Sequence, residues 1–145
     1  MGDALKKGSA LDRILADLAH DGTLATALGL EIVEAGGGTA VVRLPWSKPA
    51  SQTGGLLHGG AIATLSDTAG AVGALSLLPE GWHVVTGEMK INFLGNIRHG
   101  AALARAELLH QGGRTLVWEI RVFEESGSRL LAVATSTFFP VPPPP

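Results

Sequence analysis

The 145-residue chain contains no cysteine. This absence excludes disulfide bonds, a thiol nucleophile and every metal site that needs a thiolate ligand. It is compatible with a reducing compartment, and we expect a cytoplasmic protein. Four histidines are scattered, and no pair of them has zinc-ligand spacing beside an acid: His20, His83, His99 and His110. We therefore expect no metal and no other cofactor.

Charge is also scarce. Lysine, arginine, aspartate and glutamate make up 17% of the residues, the formal net charge is −2, and no basic block occurs. A nucleic-acid surface requires clustered lysine and arginine, so we expect no nucleic-acid partner. The N-terminal residues alternate charged and apolar side chains and lack the continuous apolar core of a signal peptide.

One long apolar run is present, at residues 61–78, and it carries Asp67 near its middle. A membrane-spanning helix would bury this carboxylate in hydrocarbon at a cost of about 3 kcal/mol. We therefore expect no membrane partner. The run is too long for a strand and predicts one helix of a globular domain, ending near Pro79.

The remaining sequence predicts a short helix and six strands. Leucines at helical spacing indicate an amphipathic helix over residues 9–20, and the last strands are joined by tight turns that favour an antiparallel meander. A glycine turn at 36–38 separates the first two predicted strands, and the strands are 29–35, 39–46, 82–94, 101–110, 114–124 and 130–139. This order fits an α+β class in which one antiparallel sheet of five to six strands wraps around the central helix.

We expect a single domain over residues 1–139. The tail at 140–145 is rich in proline and is predicted to be an extended end that cannot continue a sheet or a helix.

The central helix combines an apolar stripe with a lone carboxylate. At 100° per residue the stripe is about 80° wide and should face the sheet: its residues are Ile62, Leu65, Ala69 and Val72. Asp67 points away from the stripe, and its helical neighbours are small, which leaves room for a ligand or a partner helix: Ala63, Gly70 and Ala74. Asp67 is either a structural carboxylate or a catalytic one. The absence of any other charge in this helix argues against a solvated face, and apolar surroundings make a carboxylate a better base.

The tripeptide His58-Gly59-Gly60 lies where this helix should begin. Free N–H groups at a helix N-terminus carry partial positive charge, and glycines allow a substrate to approach them closely. Such groups suit a carbonyl oxygen that gains charge during acyl transfer. The alternative is that the glycines form only a flexible entry to the helix and that His58 is a surface residue.

The segment LLHGGAIATLSDTAG, followed by TGEMKINFL, resembles the hot-dog-fold thioesterases of the phenylacetate-degradation (PaaI-like) type. The resemblance extends over about residues 28–139. It implies an antiparallel sheet wrapped around a central helix, and a homodimer, often paired into a homotetramer, with active sites at the subunit interface. It also implies hydrolysis of an aromatic or medium-chain acyl-CoA to the free acid and CoA.

The resemblance also implies roles for individual residues. Asp67 would be the general base that activates water, or the nucleophile that attacks the thioester, and the Gly59 N–H would polarise the carbonyl. His58 and Gln52 would orient the substrate or water, and the Thr86 hydroxyl would help to hold the water. Four further positions would bind substrate: Gly60, Thr68, Lys90 and Arg98.

The role of Thr86 depends on the geometry of its strand, and this fold has two other candidate functions. Strand alternation places Thr86 on the face opposite Met89 and Ile91, so its approach to Asp67 requires a β-bulge at Gly87 or the partner subunit. A non-catalytic acyl-CoA-binding protein of the same fold remains an alternative, in which Asp67 only satisfies buried donors. A dehydratase or hydratase of the same fold is disfavoured, because no second acid is suitably placed.

Overall fold

The computed structural model describes residues 10–19 and 22–145, with the side chains of Ala10, Leu11 and Asp17 left out of the description. Positions 9 and 20 of the helix predicted over 9–20 therefore lie outside the described residues. The elements in chain order are α1 (Ala10–Leu18), α2 (Leu24–Leu28), β1 (Glu31–Gly36), β2 (Thr39–Pro45), α3 (Gly59–Leu75), β3 (His83–Phe93), β4 (Ala101–Gln111), β5 (Leu116–Glu124) and β6 (Leu130–Val141).

The six strands form one antiparallel sheet in the order β1-β2-β4-β5-β6-β3. The α+β class and the predicted meander of β4, β5 and β6 are confirmed. β3 does not join the meander beside β4. It crosses to pair with β6, so β1 and β3 are the two edges of the sheet. The long helix α3 packs on one face of this sheet.

α3 is held by its apolar stripe and by two glycines. All four residues of the predicted stripe are buried. A Cβ atom on Gly70 would lie 2.7 Å from the Phe138 ring, and one on Gly73 would lie 2.7 Å from Trp118 Nε1. The glycines therefore let the helix approach the sheet closely. This corrects the interpretation of the small residues near Asp67: Gly70 and Ala74 are buried in the core and leave no room there for a ligand or partner helix.

The C-terminal end of α3 is tied to other elements by hydrogen bonds. The helix ends at Leu75, three residues earlier than the predicted run. Ser76 Oγ accepts from the Gly38 N–H at 3.0 Å and donates to the Gly73 carbonyl at 2.6 Å. Arg13 of α1 donates to the Leu75 carbonyl at 3.3 Å, where a cation is favoured by the helix dipole.

Two smaller elements differ from the prediction. The five-residue helix α2 was not predicted; Thr23 caps it by accepting from the Thr26 N–H, and Gly29 ends it at φ 73°. Residue 140 was expected to lie outside the sheet, but β6 continues to Val141, with Pro140 opposite Val84. β5 pairs with β6 only as far as Phe138, and pairing with β3 requires only alternate residues of β6 to donate, so β6 tolerates a proline at position 140.

Candidate active site

The Asp67 carboxylate lies midway along α3 and is half-buried. Its Oδ1 atom accepts a hydrogen bond of 2.7 Å from the Thr86 hydroxyl of β3. A hydroxyl that donates to a carboxylate fixes the direction of the carboxylate. The structure therefore brings together two of the predicted site residues, within one protomer.

A β-bulge explains how Thr86 reaches the helix. Thr86 lies opposite Phe138 of β6 and Glu88 lies opposite Thr137, so Gly87 is the extra residue of β3. A bulge shifts the alternation of side chains, which turns the Thr86 hydroxyl toward α3. The sequence predicted that this contact needs either a bulge at Gly87 or a partner subunit. The structure shows the bulge, and the contact forms within one chain.

The N-terminus of α3 leaves one N–H group free. His58 is the N-cap, and its Nδ1 atom accepts from the Gly60 N–H at 2.8 Å. The His58 carbonyl accepts from the N–H groups of Ala61 at 2.9 Å and Ile62 at 3.1 Å. Within the part of the chain that the structure describes, the Gly59 N–H has no partner. It is therefore available to a ligand, whereas the Gly60 N–H is already bonded.

The imidazole of His58 is set by this cap. Because Nδ1 accepts a hydrogen bond, the neutral ring carries its proton on Nε2. The side chain is exposed, so this N–H can face a ligand. The alternative interpretation is correct in that His58 is a surface residue, but His58 is also the N-cap that begins the helix through its own side chain.

The loop before α3 holds Gln52 close to its own backbone. Gln52 Oε1 accepts from the Gly54 N–H, and the Gln52 carbonyl accepts from the Gly55 N–H at 3.0 Å. Trp46 Nε1 donates to the Gly55 carbonyl at 3.0 Å, and Arg98 donates to the Gly54 carbonyl at 2.5 Å. The loop is therefore fastened from both sides, and Arg98 has a structural contact in addition to its predicted role in substrate binding.

Within the described residues, neither Lys90 nor Thr68, both predicted to bind substrate, has a hydrogen bond to Asp67. Lys90 Nζ donates to Asn92 Oδ1 at 2.6 Å on the exposed strand β3. Thr68 lines a mainly apolar cavity of about 310 Å³ between α1, α2, β1 and α3, together with Leu18 and Leu30. The helix turns by about 100° between Asp67 and Thr68, so the two side chains diverge.

Asn96 is a polar residue of this region whose importance the sequence did not reveal. It follows β3, and its side chain is hydrogen-bonded to the backbone of Leu57, directly before His58. A Gly-Asn pair after a strand indicates a turn, and asparagine often bonds to nearby backbone in turns. That signal was present, but the bonding partner is 39 residues away in sequence.

The predicted catalytic groups form two separate clusters within one protomer. Asp67 lies eight residues after Gly59 in the same helix, which corresponds to about 12 Å along the helix axis. The carbon and oxygen of a carbonyl are only about 1.2 Å apart. One substrate carbonyl therefore cannot contact both groups of the same chain.

Residues 10–19 and 22–145 contain no group of three or more His, Cys, Asp or Glu that could hold a metal ion. Within the same ranges, no helix has both the length and the apolar character needed to cross a membrane.

The sequence of this chain is similar to those of several known proteins. Residues 54–131 match the family described as the thioesterase superfamily. A 1,4-dihydroxy-2-naphthoyl-CoA hydrolase from Listeria monocytogenes is 34% identical over 110 residues, which cover 76% of this chain and 89% of that protein. The proofreading thioesterase EntH of Cronobacter turicensis is 31% identical over 116 residues, which cover 80% of this chain and 85% of EntH.

A solved structure agrees with these relatives. The PaaI protein of the E. coli phenylacetic acid degradation operon superposes with a TM-score of 0.80 at 27% identity, covering 91% of this chain and 93% of PaaI. The fold is therefore the hot-dog fold of thioester hydrolases. The chain belongs to the thioesterase superfamily, and its resemblance to PaaI-like enzymes is confirmed.

Proposed function

We propose that this protein hydrolyses the thioester of an aromatic or medium-chain acyl-CoA, with Asp67 as the catalytic carboxylate. The observation that carries the proposal is the hydrogen bond of 2.7 Å between Thr86 Oγ1 and Asp67 Oδ1. It leaves the second carboxylate oxygen of Asp67 available for chemistry and holds the first in a fixed direction. We assign the function to a single domain, which the sequence predicts over residues 1–139; its last strand, β6, extends the domain to Val141.

In the proposed reaction the Gly59 N–H donates to the thioester carbonyl oxygen and stabilises the charge that develops there. Asp67 takes a proton from a water molecule, whose oxygen attacks the carbonyl carbon. The carbon–sulfur bond then breaks, and the leaving CoA thiolate takes the proton held by Asp67, which restores the carboxylate. Direct attack by Asp67, through an anhydride that water hydrolyses, is the second form of the same proposal.

The remaining predicted residues are assigned supporting roles in this proposal. His58 Nε2–H and the amide of Gln52 orient the substrate or the water, and Gly60 and Thr68 contact the substrate. Lys90 and Arg98 are the candidates for the phosphates of CoA, because both are exposed cations. Each of these assignments is a prediction that substitution can test.

The separation of Gly59 and Asp67 supports an active site shared between two subunits. If one chain supplies Gly59 and its partner supplies Asp67, the distance of about 12 Å within a chain is no obstacle. The edge strand β3 has a free side, and large apolar side chains on it and just after it are exposed: Val85, Phe93 and Leu94. An exposed edge with apolar side chains favours pairing with a second copy. We propose a homodimer, with a dimer of dimers as the larger form.

The substrate class is supported by the relatives. The Listeria relative is named a hydrolase of a naphthoyl-CoA, and the E. coli structure belongs to a phenylacetic acid operon. Both names point to aromatic acyl groups, and medium-length aliphatic chains are compatible with the same chemistry. The proposal places the protein in the cytoplasm, with no nucleic-acid partner. The lack of cysteine is compatible with that compartment.

The test is thiol release from a panel of acyl-CoA esters, read with a thiol-reactive dye. The protein contributes no background to that signal, because it has no cysteine. Asp67→Asn keeps the shape of the side chain and an oxygen that accepts from Thr86, but it removes the base. We expect kcat to fall by about 10²- to 10⁴-fold. Glu80→Gln, at an exposed acid just after α3, is the matched control and should retain activity.

Two results would overturn the proposal. Equal turnover by Asp67→Asn and wild type would exclude Asp67 as the catalytic carboxylate. No thiol release by folded wild type, together with a higher melting temperature in the presence of acyl-CoA, would instead indicate the non-catalytic binding protein.

A further inference from the structure

The side chain of Asn96 is bonded to the peptide groups that lead into α3. Asn96 Oδ1 accepts from the Leu57 N–H at 3.0 Å, and Asn96 Nδ2 donates to the Leu57 carbonyl at 2.8 Å. The amide thus pairs with both polar groups of one residue, as a neighbouring strand would. Among the described residues, Asn96 is the only partner of the Leu57 carbonyl.

Asn96 is itself held in place. Its Oδ1 atom also accepts from the Ile97 N–H at 2.7 Å, and its carbonyl accepts from Arg129 at 2.8 Å. Ile97 is buried and accepts from the Leu57 N–H through its carbonyl at 3.2 Å. The asparagine is therefore a rigid support and not a mobile surface side chain.

The next two peptide groups, Leu57–His58 and His58–Gly59, are also held in fixed orientations. The His58 N–H donates to the Ala50 carbonyl at 2.8 Å, so the Leu57–His58 peptide is fixed at both of its polar ends. The His58 carbonyl is fixed by its two bonds into α3. Because a trans peptide is planar, the Gly59 N–H must point opposite to that carbonyl, away from the helix. Asn96 lies at the start of this series of fixed groups.

We propose that Asn96 is a positioning residue that aims the Gly59 N–H at the substrate carbonyl. The proposal rests on the proposed function, in which that N–H polarises the thioester. Asn96 does not touch the substrate. It acts by holding the Leu57–His58 peptide, and loss of that hold lets the N-terminus of α3 shift and carry the Gly59 N–H away from the position in which it stabilises the developing charge.

The experiment compares Asn96→Ala and Asn96→Asp with the control Ser76→Ala. Asp has the same shape as Asn, but its carboxylate cannot donate to the Leu57 carbonyl. The Ser76 hydroxyl also bonds to two backbone groups, accepting from one and donating to the other, but Ser76 lies 17 residues from Gly59, about 25 Å along the helix axis. Its loss should lower stability without touching the site.

We expect both Asn96 variants to lower kcat by about 10- to 100-fold, with KM changed less than about threefold. Ser76→Ala should keep the wild-type kcat even where its melting temperature falls. If Asn96→Asp retains wild-type kcat, the shape of the side chain suffices and the proposal is wrong. The proposal is also wrong if kcat simply follows stability in both variants. In that case Ser76→Ala would lose as much kcat per degree of lost melting temperature as Asn96→Ala does.

A second readout does not depend on turnover. Hydrogen exchange of the Leu57 and His58 amides, followed by NMR, measures how firmly these peptides are held. Exchange should be faster in Asn96→Ala and unchanged in Ser76→Ala. If the wild type releases no thiol but this difference is found, the proposed function fails while the positioning contact stands. Unchanged exchange in folded Asn96→Ala would overturn the positioning role.

Discussion

Thr86 donates a hydrogen bond of 2.7 Å to Asp67 although the two residues lie on different elements, 19 positions apart. The contact joins the edge strand β3 to the middle of α3. A hydrogen bond to a charged group contributes about 1.5–3 kcal/mol, so this contact can decide where the carboxylate points. Whether it supports catalysis can be tested through the hydroxyl alone.

Thr86→Val removes the hydroxyl and keeps the branched shape. We expect kcat/KM to fall by about 10- to 100-fold, which corresponds to the loss of a hydrogen bond of that strength. Thr86→Ser keeps the hydroxyl and should restore most of the activity. Thr135→Val, at an exposed threonine of β6, is the matched control. Full activity in Thr86→Val would show that the hydroxyl only caps the carboxylate.

The bulge at Gly87 depends on the absence of a side chain. A Cβ atom there would collide with the ring of Phe139. We expect Gly87→Ala to reduce activity and to destabilise the fold by about 1–3 kcal/mol, because an added methyl forces the ring or the strand to move. The double variant Gly87→Ala/Phe139→Ala removes the collision and should recover activity relative to the single variant. Kinetics and urea denaturation of the wild type, the single variant and the double variant measure this. If the double variant does not recover, the collision with Phe139 is not the cause of the defect.

The Gly59 N–H can be deleted without a change of fold. Gly59 is the first residue of α3, where proline is favoured, and His58 has φ −65° and ψ 137°, a conformation that suits a residue before proline. We expect Gly59→Pro to fold and to lose about 10²- to 10³-fold in kcat. Gly59→Ala keeps the N–H, and its Cβ would make only ordinary contact with Phe93, so it should stay active.

Complementation tests whether two subunits share one active site. In a heterodimer of Asp67→Asn with Gly59→Pro, one site contains both defects and the other contains neither, provided that each site takes these residues from different subunits. Random association after co-expression should then restore about a quarter of wild-type activity. A site built from one chain alone would stay inactive in every combination.

The contact of α3 with the sheet leaves no room at Gly73. An alanine there gains about 1 kcal/mol in helix propensity, but its Cβ would lie 2.7 Å from Trp118 Nε1, which donates to the Gly38 carbonyl at 2.8 Å. We expect Gly73→Ala to lower the free energy of unfolding by about 1–3 kcal/mol. Gly113→Ala adds a methyl where no atom lies within 4 Å and should have little effect. Urea denaturation would measure both, and a stabilised Gly73→Ala would contradict the close approach.

An ion pair on β2 predicts how stability changes with pH. The hydrogen bond from Arg43 holds the pKa of Glu125 below its usual value of 4.5. A lowered pKa in the folded state stabilises the protein at pH values above 4.5, and this contribution is lost as the pH falls through the folded-state pKa. We expect Arg43→Met to be less stable than wild type at pH 7, with the difference shrinking below pH 4.5 and in 1 M salt. A difference that does not change with pH would indicate lost packing by the arginine stem.

Much of the fold could be predicted from short-range patterns. The apolar spacing of Ile62, Leu65 and Ala69 predicted the buried side of α3, and alternation around Trp118 predicted β5 within two residues of its observed start. These patterns work because each element buries one side, and that requirement is written into neighbouring residues. The position of β3 beside β6 was not predictable in this way, because strand pairing at the edge depends on residues far apart in the chain.

The candidate site also has parts that the sequence predicted and parts that it did not. The sequence by itself determined the N-terminus of α3, because His58 and Gly59 act through local backbone bonds, and it determined that Asp67 stands alone on the helix. Only the tertiary structure decided that Gly87 bulges to bring Thr86 to Asp67, and that Asn96 holds Leu57 from 39 residues away. The physical reason is that a hydrogen bond between distant elements depends on sheet register and on helix placement, which the collapse of the whole core fixes at once.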